Sequence, residues 1–295
     1  LRSARGIVKA DLVTGVRPAA APPPRSTAAR VITAIVAVLL IAGTVTLYLV
    51  IAHAHPVTDP DDLAGILSSY AGMGLLVCLI FAILSGPIIR GLVRLVRALP
   101  FAGTAGFLAS REASARPRLT QALVVPITLA AAAVGIMAAW INELTNVMAA
   151  QAGSEEKVNA PPRQMALLLG GPVIVACVCA SAIVFATASH RRADNALLLV
   201  SGVTPGVIRA KALVEAGIHA VICLVCAYGI VVVNDVSMAK ALSTGPVPSV
   251  PILAPGWQAA GVVAVGIALT LLLLLAVTAD GMHRNPVTTI TGGHQ

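Results

Sequence analysis

The chain has 295 residues, of which 58% are hydrophobic and only 11% are charged, and its mean hydropathy is +0.92. Soluble domains carry about 25% charged residues, so this composition excludes an ordinary soluble protein and indicates a membrane protein. The net charge of +8 does not indicate a nucleic-acid-binding protein, because aromatic residues, which stack on bases, make up only 3% of the chain. Anionic lipid headgroups are the expected partner of the basic residues.

Residues 1–30 form a basic lead-in that contains Pro22, Pro23 and Pro24. Six apolar runs follow it, and a membrane-spanning helix needs about 20 apolar residues. The sequence therefore predicts an all-α polytopic membrane protein with about six transmembrane helices. The predicted spans are Val31–Ala52, Leu63–Ile89, Ala122–Ile141, Met165–Ala188, Ala212–Val233 and Trp257–Thr278.

The segments between the runs alternate in charge. The lead-in and the segments 90–121 and 189–211 are rich in Arg and Lys, whereas the segment 53–62 holds three aspartates and no Lys or Arg. Because basic residues concentrate on the cytosolic side of membrane proteins, we expect the basic segments and both termini to be cytosolic.

The stretch from Ala188 to Glu215 joins the fourth and fifth spans. It opens with His190, Arg191 and Arg192, continues as an amphipathic segment, and turns at residues 201–205. This pattern is typical of a short helix at a membrane surface. We expect a short amphipathic helix here, on the cytosolic side.

An internal repeat is visible in the sequence. Residues 12–18, Leu-Val-Thr-Gly-Val-Arg-Pro, resemble residues 199–205, Leu-Val-Ser-Gly-Val-Thr-Pro, and two apolar runs follow each copy. This similarity predicts that residues 8–95 are a second copy of the unit formed by residues 195–285. On this interpretation the second unit has four spans, and the first keeps only its back half. The missing half was either lost or lies on a longer chain.

The stretch RRADNALLLVSGVTPGVIRAKALVEAGI resembles the signature of FtsX-like ABC transporter permeases of the MacB/FtsX type. The resemblance divides the chain into residues 1–118, a lead-in with two spans and a basic linker, and residues 119–295, a complete four-span unit. The matching positions are Arg192, Asp194, Ala196 to Leu199, Gly202, Thr204 to Val207, Arg209 and Glu215.

The resemblance implies a non-catalytic subunit that couples ATP hydrolysis, by a separate cytosolic ATPase, to export or extraction of a hydrophobic or amphipathic substrate. ATP and Mg²⁺ would bind to that ATPase, so no cofactor is expected in this chain, and the sequence holds no phosphate-binding loop of the G-x-x-x-x-G-K-[ST] type. Permease chains would pair as a homodimer or heterodimer in the plasma membrane, the bacterial inner membrane by analogy. The residues expected to contact and couple to the ATPase are Arg191, Arg192, Asp194, Asn195, Leu198, Leu199, Gly202, Pro205 and Arg209.

Two other functions stay open. An ATP-independent secondary transporter would need polar sites within its spans, and the apolar runs hold few polar residues. A mechanical transmitter or sensor would need a large outer domain, such as family members usually carry, but here the corresponding segment 142–164 is short.

Glu215 is an acid within the fifth predicted span, and intramembrane acids are often functional. A proton or cation site is one interpretation. The other is a residue in the first helical turn, stabilised by the helix dipole and by Lys211 four positions earlier. No metal site is predicted: Cys223 and Cys226, three positions apart, are interpreted as small hydrophobic residues.

Overall fold

The computed structural model describes residues 27–52, 60–98, 103–151, 162–243 and 257–283. These residues form eight α-helices, and no strand occurs among them. In chain order the helices are α1 (Thr27–Ala52), α2 (Pro60–Ala98), α3 (Thr104–Ala115), α4 (Pro117–Gln151), α5 (Pro162–Ala186), α6 (Ala188–Val200), α7 (Pro205–Ser243) and α8 (Trp257–His283).

Five of the described helices are long and apolar enough to cross a membrane, which confirms an all-helical, multi-pass membrane protein. The predicted fourth span falls on α5, whose described apolar part, Val173–Ala186, is shorter than a membrane span. The side of the membrane that each end faces stays a prediction. The five apolar segments are Val31–Val50, Gly72–Val96, Leu119–Ile141, Pro205–Ser237 and Ala260–Ala279.

The chain divides into two compact units, residues 1–39 and residues 40–295. In the first unit the described residues belong to the first half of α1, where Ile32, Val38 and Leu39 are exposed. Exposed aliphatic side chains on a helix of this length are suited to contact with lipid. The first copy of the predicted repeat, residues 12–18, lies outside the described residues.

In the second unit, α4 is the central helix and packs against α2, α5, α7 and α8. Its middle is lined with alanine, and Ala131 and Ala132 are fully buried. Small side chains let neighbouring membrane helices approach closely, as the run of alanines at 130–133 predicts. The sequence repeat and the basic stretch both involve α6. In the structure, however, the helix at the centre of the packing is α4.

Two glycines on neighbouring helices allow this close packing. A Cβ atom built on Gly74 of α2 would lie 2.7 Å from Cγ2 of Ile136 on α4, and one built on Gly266 of α8 would lie 3.0 Å from Cγ2 of Ile127. Real Cβ atoms almost never approach carbon as closely as 2.7 Å, so α2 needs glycine where it crosses α4 unless Ile136 moves. The contact at Gly266 is tight, and a Cβ there would require Ile127 to shift by a few tenths of an ångström.

Helix α7 is longer at both ends than the predicted span Ala212–Val233. It begins at Pro205, which suits the first helical position because the proline nitrogen has no hydrogen to leave unpaired. It also continues past Asn234 and Asp235, which lie beyond the predicted end of this span at Val233. That prediction was wrong, because both side chains are buried within the bundle.

One end of the second unit carries the short helices, and we call it the basic end. It is the end at which α4 and α7 begin, and it includes α3 and α6. Helix α3 was not predicted, since the sequence analysis treated residues 90–118 as a basic linker. In the structure α3 packs against both α2 and α7.

Candidate functional site: the α6–α7 elbow and its ion pairs

The elbow between α6 and α7 comprises residues 188–215. A break at Thr187 separates α6 from α5, and the Arg191 backbone nitrogen donates to the Thr187 carbonyl across this break. The short helix that the sequence predicted between the fourth and fifth spans is therefore present. Its position on a membrane surface stays a prediction.

Helix α6 ends in a glycine-dependent turn. The Val203 nitrogen donates to the Leu198 carbonyl, and the Gly202 nitrogen donates to the Leu199 carbonyl, both at 3.0 Å. This pair of bonds defines the Schellman motif, whose left-handed residue is usually glycine. Gly202 occupies that position with φ of 90°. Thr204 then precedes the α7 start at Pro205, and its carbonyl accepts from the Val207 nitrogen at 3.0 Å.

A buried ion pair links α6 to α7. The Arg191 guanidinium donates to both carboxylate oxygens of Glu215, at 3.0 and 2.8 Å. Only 8% of the arginine side chain and 6% of the glutamate side chain are exposed. Planar two-point pairing of this kind fixes the relative position of the two groups as well as their distance. Arg191 and Glu215 therefore hold the start of α6 against the third turn of α7.

The charges around Arg191 favour its cationic form. Burial disfavours the cation, but the hydrogen bonds to Glu215 and the negative charges of Glu215, Glu112 and Asp194 outweigh that cost and raise the pKa of Arg191 above its ordinary value. Arginine is charged at every physiological pH in any case. The link between α6 and α7 is thus a permanent charge pair.

Two further ion pairs surround this one. Lys211 on α7 pairs with Glu112 on α3, and both side chains are largely buried. Arg116, between α3 and α4, pairs with Asp194 on α6 at 2.8 Å, with 40% and 36% of these side chains exposed. Together the three pairs join α3, α6 and α7 at the basic end.

A small cavity of about 20 Å³ lies among these groups. That volume matches about one water molecule, which needs roughly 10–15 Å³. The cavity is lined by Arg191, Asn195, Lys211, Glu215 and Thr278, among others. The polar interior of the elbow is thus too small for a substrate.

The expected role of Glu215 needs correction. Helix α7 begins at Pro205 and not near Ala212, so Glu215 lies about three turns inside it, beyond the reach of the dipole at the helix start. Its ion-pair partner is Arg191, whereas Lys211 pairs with Glu112. The spacing of four residues suggested a local pair, but the packing of α3 and α6 on α7 provides two partners from other helices.

The predicted coupling residues divide into an inner and an outer group. Arg191 is buried, so the expectation that it meets a partner subunit at the surface does not fit its position. The other residues are half-buried or exposed. The half-buried residues are Arg192, Asp194, Asn195, Leu198 and Leu199, and the exposed ones are Gly202, Pro205 and Arg209.

The most exposed apolar residues of α6 are Leu197 and Val200, with 59% and 68% of their surface exposed. Their spacing of three residues places them on the same face of the helix. They flank Leu198 and Leu199, the two apolar residues of α6 that the sequence analysis expected to contact the ATPase. The sequence alone could not tell which of the four leucine and valine residues face outward.

A second polar cluster, which the sequence analysis did not identify, lies far along α7 from the elbow. The Tyr70 hydroxyl on α2 donates to the Asp235 carboxylate. Both polar atoms of the fully buried Asn234 amide, and the second carboxylate oxygen of Asp235, have no hydrogen-bond partner. Buried polar groups without partners are costly in an apolar bundle, so these residues are candidates for a functional role.

Comparison with protein-family models, with curated proteins and with solved structures finds no match to this chain.

Proposed function

We propose that the chain is the membrane permease subunit of an ABC transporter, and that α6 is its coupling helix. A separate cytosolic ATPase would bind α6 and use ATP and Mg²⁺. The permease would export or extract a hydrophobic or amphipathic substrate, as a homodimer or heterodimer in a plasma membrane such as the bacterial inner membrane.

One observation carries the proposal. Leu197 and Val200 are exposed on the outer face of α6, while its inner face is joined to α7 through the ion pair of Arg191 and Glu215. A short helix of this kind combines an apolar contact surface with a rigid connection to a membrane helix. A displacement of its outer face would therefore move α7 as well, because the ion pair connects the two helices rigidly.

The ion pairs on either side of α6 support the same mechanism. Asp194 connects α6 to Arg116 at the start of α4, the central helix of the unit. Lys211 connects the first part of α7 to Glu112 on α3. A displacement of α6 would therefore reach both α4 and α7. The Schellman turn at Gly202 fixes the angle at which α6 meets α7.

The test uses the full chain, tagged and purified from its native membrane. Leu197→Asp and Val200→Asp each add a charge to the outer face of α6, while Ser114→Asp adds the same charge to α3 at the same end. We expect ATP hydrolysis to co-purify with the wild type and with Ser114→Asp, and to fall at least about tenfold in both α6 variants. Equal ATPase activity in all four preparations would contradict the proposal.

An ATP-independent secondary transporter is the second candidate, favoured by the polar cluster at Tyr70, Asn234 and Asp235. The sequence leaves this function open, although its apolar runs hold few polar residues. Transporters that use ion gradients place such groups inside their helical bundles. Uptake or efflux that persists without an ATPase, stops when the ion gradient is collapsed, and fails in Asp235→Asn would establish this function instead.

A further inference from the structure

An open apolar groove of about 730 Å³ lies at the basic end, between the start of α3 and the turn that joins α6 to α7. Ligand-binding clefts in proteins have volumes of roughly 300–1,000 Å³. The groove is lined by Thr104, Phe107 and Leu108 from α3 and by Val203, Thr204 and Val207 from the turn and α7.

Positive charge borders the apolar lining. The Arg111 guanidinium lies over the Phe107 ring, 5.0 Å from its centre, and the Arg111 side chain is exposed. Within the described part of the chain, Arg111 forms no ion pair. The cation therefore remains available to an anionic group placed above the groove.

The starts of two helices also line the groove. Gly103 caps α3 without a side-chain hydrogen bond, so the backbone N–H groups of the first turn of α3 have no partner within the helix. Thr204, the residue before the start of α7, also lines the groove. Both helix starts carry partial positive charge, and they add to the charge of Arg111.

We expect the groove to lie near the level of lipid headgroups, because it adjoins the start of a helix long and apolar enough to cross a membrane. Val203 and Thr204 directly precede the apolar segment Pro205–Ser237, and α3 directly precedes the helix that contains the apolar segment Leu119–Ile141. A ligand at this level meets hydrocarbon on one side and water on the other. Its expected chemistry is therefore an apolar chain with an anionic head.

A segment of the ATPase partner is the other conceivable occupant, but the lining does not favour it. Leu197 and Val200, the exposed apolar residues assigned above to the ATPase, do not line the groove. The residues that line the groove are apolar or uncharged, and the charge of Arg111 lies beside them, over Phe107. That distribution fits an acyl chain beneath a phosphate better than it fits an amphipathic helix.

We propose that this groove is a binding site for an anionic membrane phospholipid, whose acyl chain packs on Phe107, Leu108, Val203 and Val207 and whose phosphate pairs with Arg111. The site requires only that the chain lies in a membrane and does not depend on the proposed transport function. Basic pockets beside membrane helices commonly select anionic headgroups in this way.

The experiment measures lipid binding to the purified full chain by native mass spectrometry, with phosphatidylglycerol and phosphatidylcholine of identical acyl chains as probes. Arg111→Gln removes the cation, and Thr104→Trp fills the groove from an exposed position. Arg94→Gln, which removes an exposed arginine of α2 that does not line the groove, is the matched control. The thermal midpoint in phosphatidylcholine verifies that each variant is folded.

We expect the wild type and Arg94→Gln to bind phosphatidylglycerol more tightly than phosphatidylcholine. Arg111→Gln should weaken phosphatidylglycerol binding about fivefold, the effect of one basic residue at an anionic surface, with little change for phosphatidylcholine. Thr104→Trp should remove the tight binding of both lipids. The proposal is overturned if Arg111→Gln and Arg94→Gln behave alike, or if Thr104→Trp keeps wild-type lipid binding.

Discussion

Arg191 and Glu215 lie 24 positions apart in the sequence, yet they form the most buried ion pair described in the structure, with two hydrogen bonds between α6 and α7. The pair explains how a short surface helix can be held in one position relative to a long apolar helix. It also gives a function to an acid inside a membrane span that needs no bound ion.

Removing one member of this pair should destabilise the protein strongly. Glu215→Gln leaves the Arg191 cation buried without its partner, a change that costs about 3–5 kcal/mol in folded proteins. Arg116→Gln breaks the more exposed pair with Asp194 and should cost at most about 1 kcal/mol. Unfolding of the purified chain in mixed detergent, followed by circular dichroism, measures both. Equal losses of unfolding free energy in the two variants would show that burial does not determine how much these ion pairs contribute to stability.

Replacing both members together gives a second test of the pair. The double variant Arg191→Met/Glu215→Met removes both charges and leaves no buried ion, so its stability should exceed that of Glu215→Gln alone. The same unfolding assay applies. A double variant that is less stable than either single variant would mean that the two charges do not depend on each other.

Gly202→Ala should destabilise the elbow. An alanine at φ of 90° places its Cβ against the neighbouring backbone, which costs about 1–2 kcal/mol for left-handed residues. Gly206→Ala is the control, because Gly206 lies in the first turn of α7 with open space around it, and alanine suits a helix better than glycine. A stability loss for Gly206→Ala as large as that for Gly202→Ala would rule out the backbone explanation.

Gly74→Ala should separate α2 from α4. The added Cβ would lie 2.7 Å from Cγ2 of Ile136, and overpacking of this kind costs about 1–3 kcal/mol. Gly72→Ala, where no atom lies within 4 Å, should be neutral. Adding Ile136→Ala to Gly74→Ala removes the clashing methyl group and should restore part of the loss. The same unfolding assay checks all three variants, and no recovery in the double variant would refute the contact.

Tyr70→Phe should weaken the connection between α2 and α7 by removing the hydrogen bond to Asp235. Hydrogen bonds between membrane helices contribute about 0.6 kcal/mol on average and up to about 1.7, and the buried carboxylate places this one in the upper part of that range. Tyr48→Phe, a half-buried tyrosine of α1 for which the described structure gives no hydrogen bond, is the control. A larger effect of Tyr48→Phe would contradict the assignment.

Local patterns in the sequence predicted local structure well. Apolar runs predicted the long helices, and the sequence around Gly202 and Pro205 predicted the turn, because turn chemistry depends on a few neighbouring residues. The alanines of α4 predicted close packing. Each of these features depends on residues that are near each other in the chain.

Contacts between helices could not be predicted in the same way. No pattern in the sequence indicated that Glu215 would pair with Arg191 while Lys211 paired with Glu112, since both pairs depend on how α3 and α6 lie on α7. Asn234 and Asp235 resembled loop residues because they are polar, and only the packing of α2 against α7 shows that they are buried. Helix α3 lies in the segment 90–121, which was interpreted as a basic linker because it is rich in arginine.

The central claim is that a cytosolic ATPase binds the outer face of α6. Cysteine labelling in intact cells tests this claim most directly. Val200→Cys places a thiol at the most exposed apolar residue of α6. Ser154→Cys places a thiol in a segment that is expected to lie outside the cell. The unmodified chain measures the background labelling of its own cysteines. A membrane-impermeant maleimide should label Ser154→Cys in intact cells but label Val200→Cys only after the membrane is opened. Labelling of Val200→Cys in intact cells would place the elbow on the outer face and contradict the account.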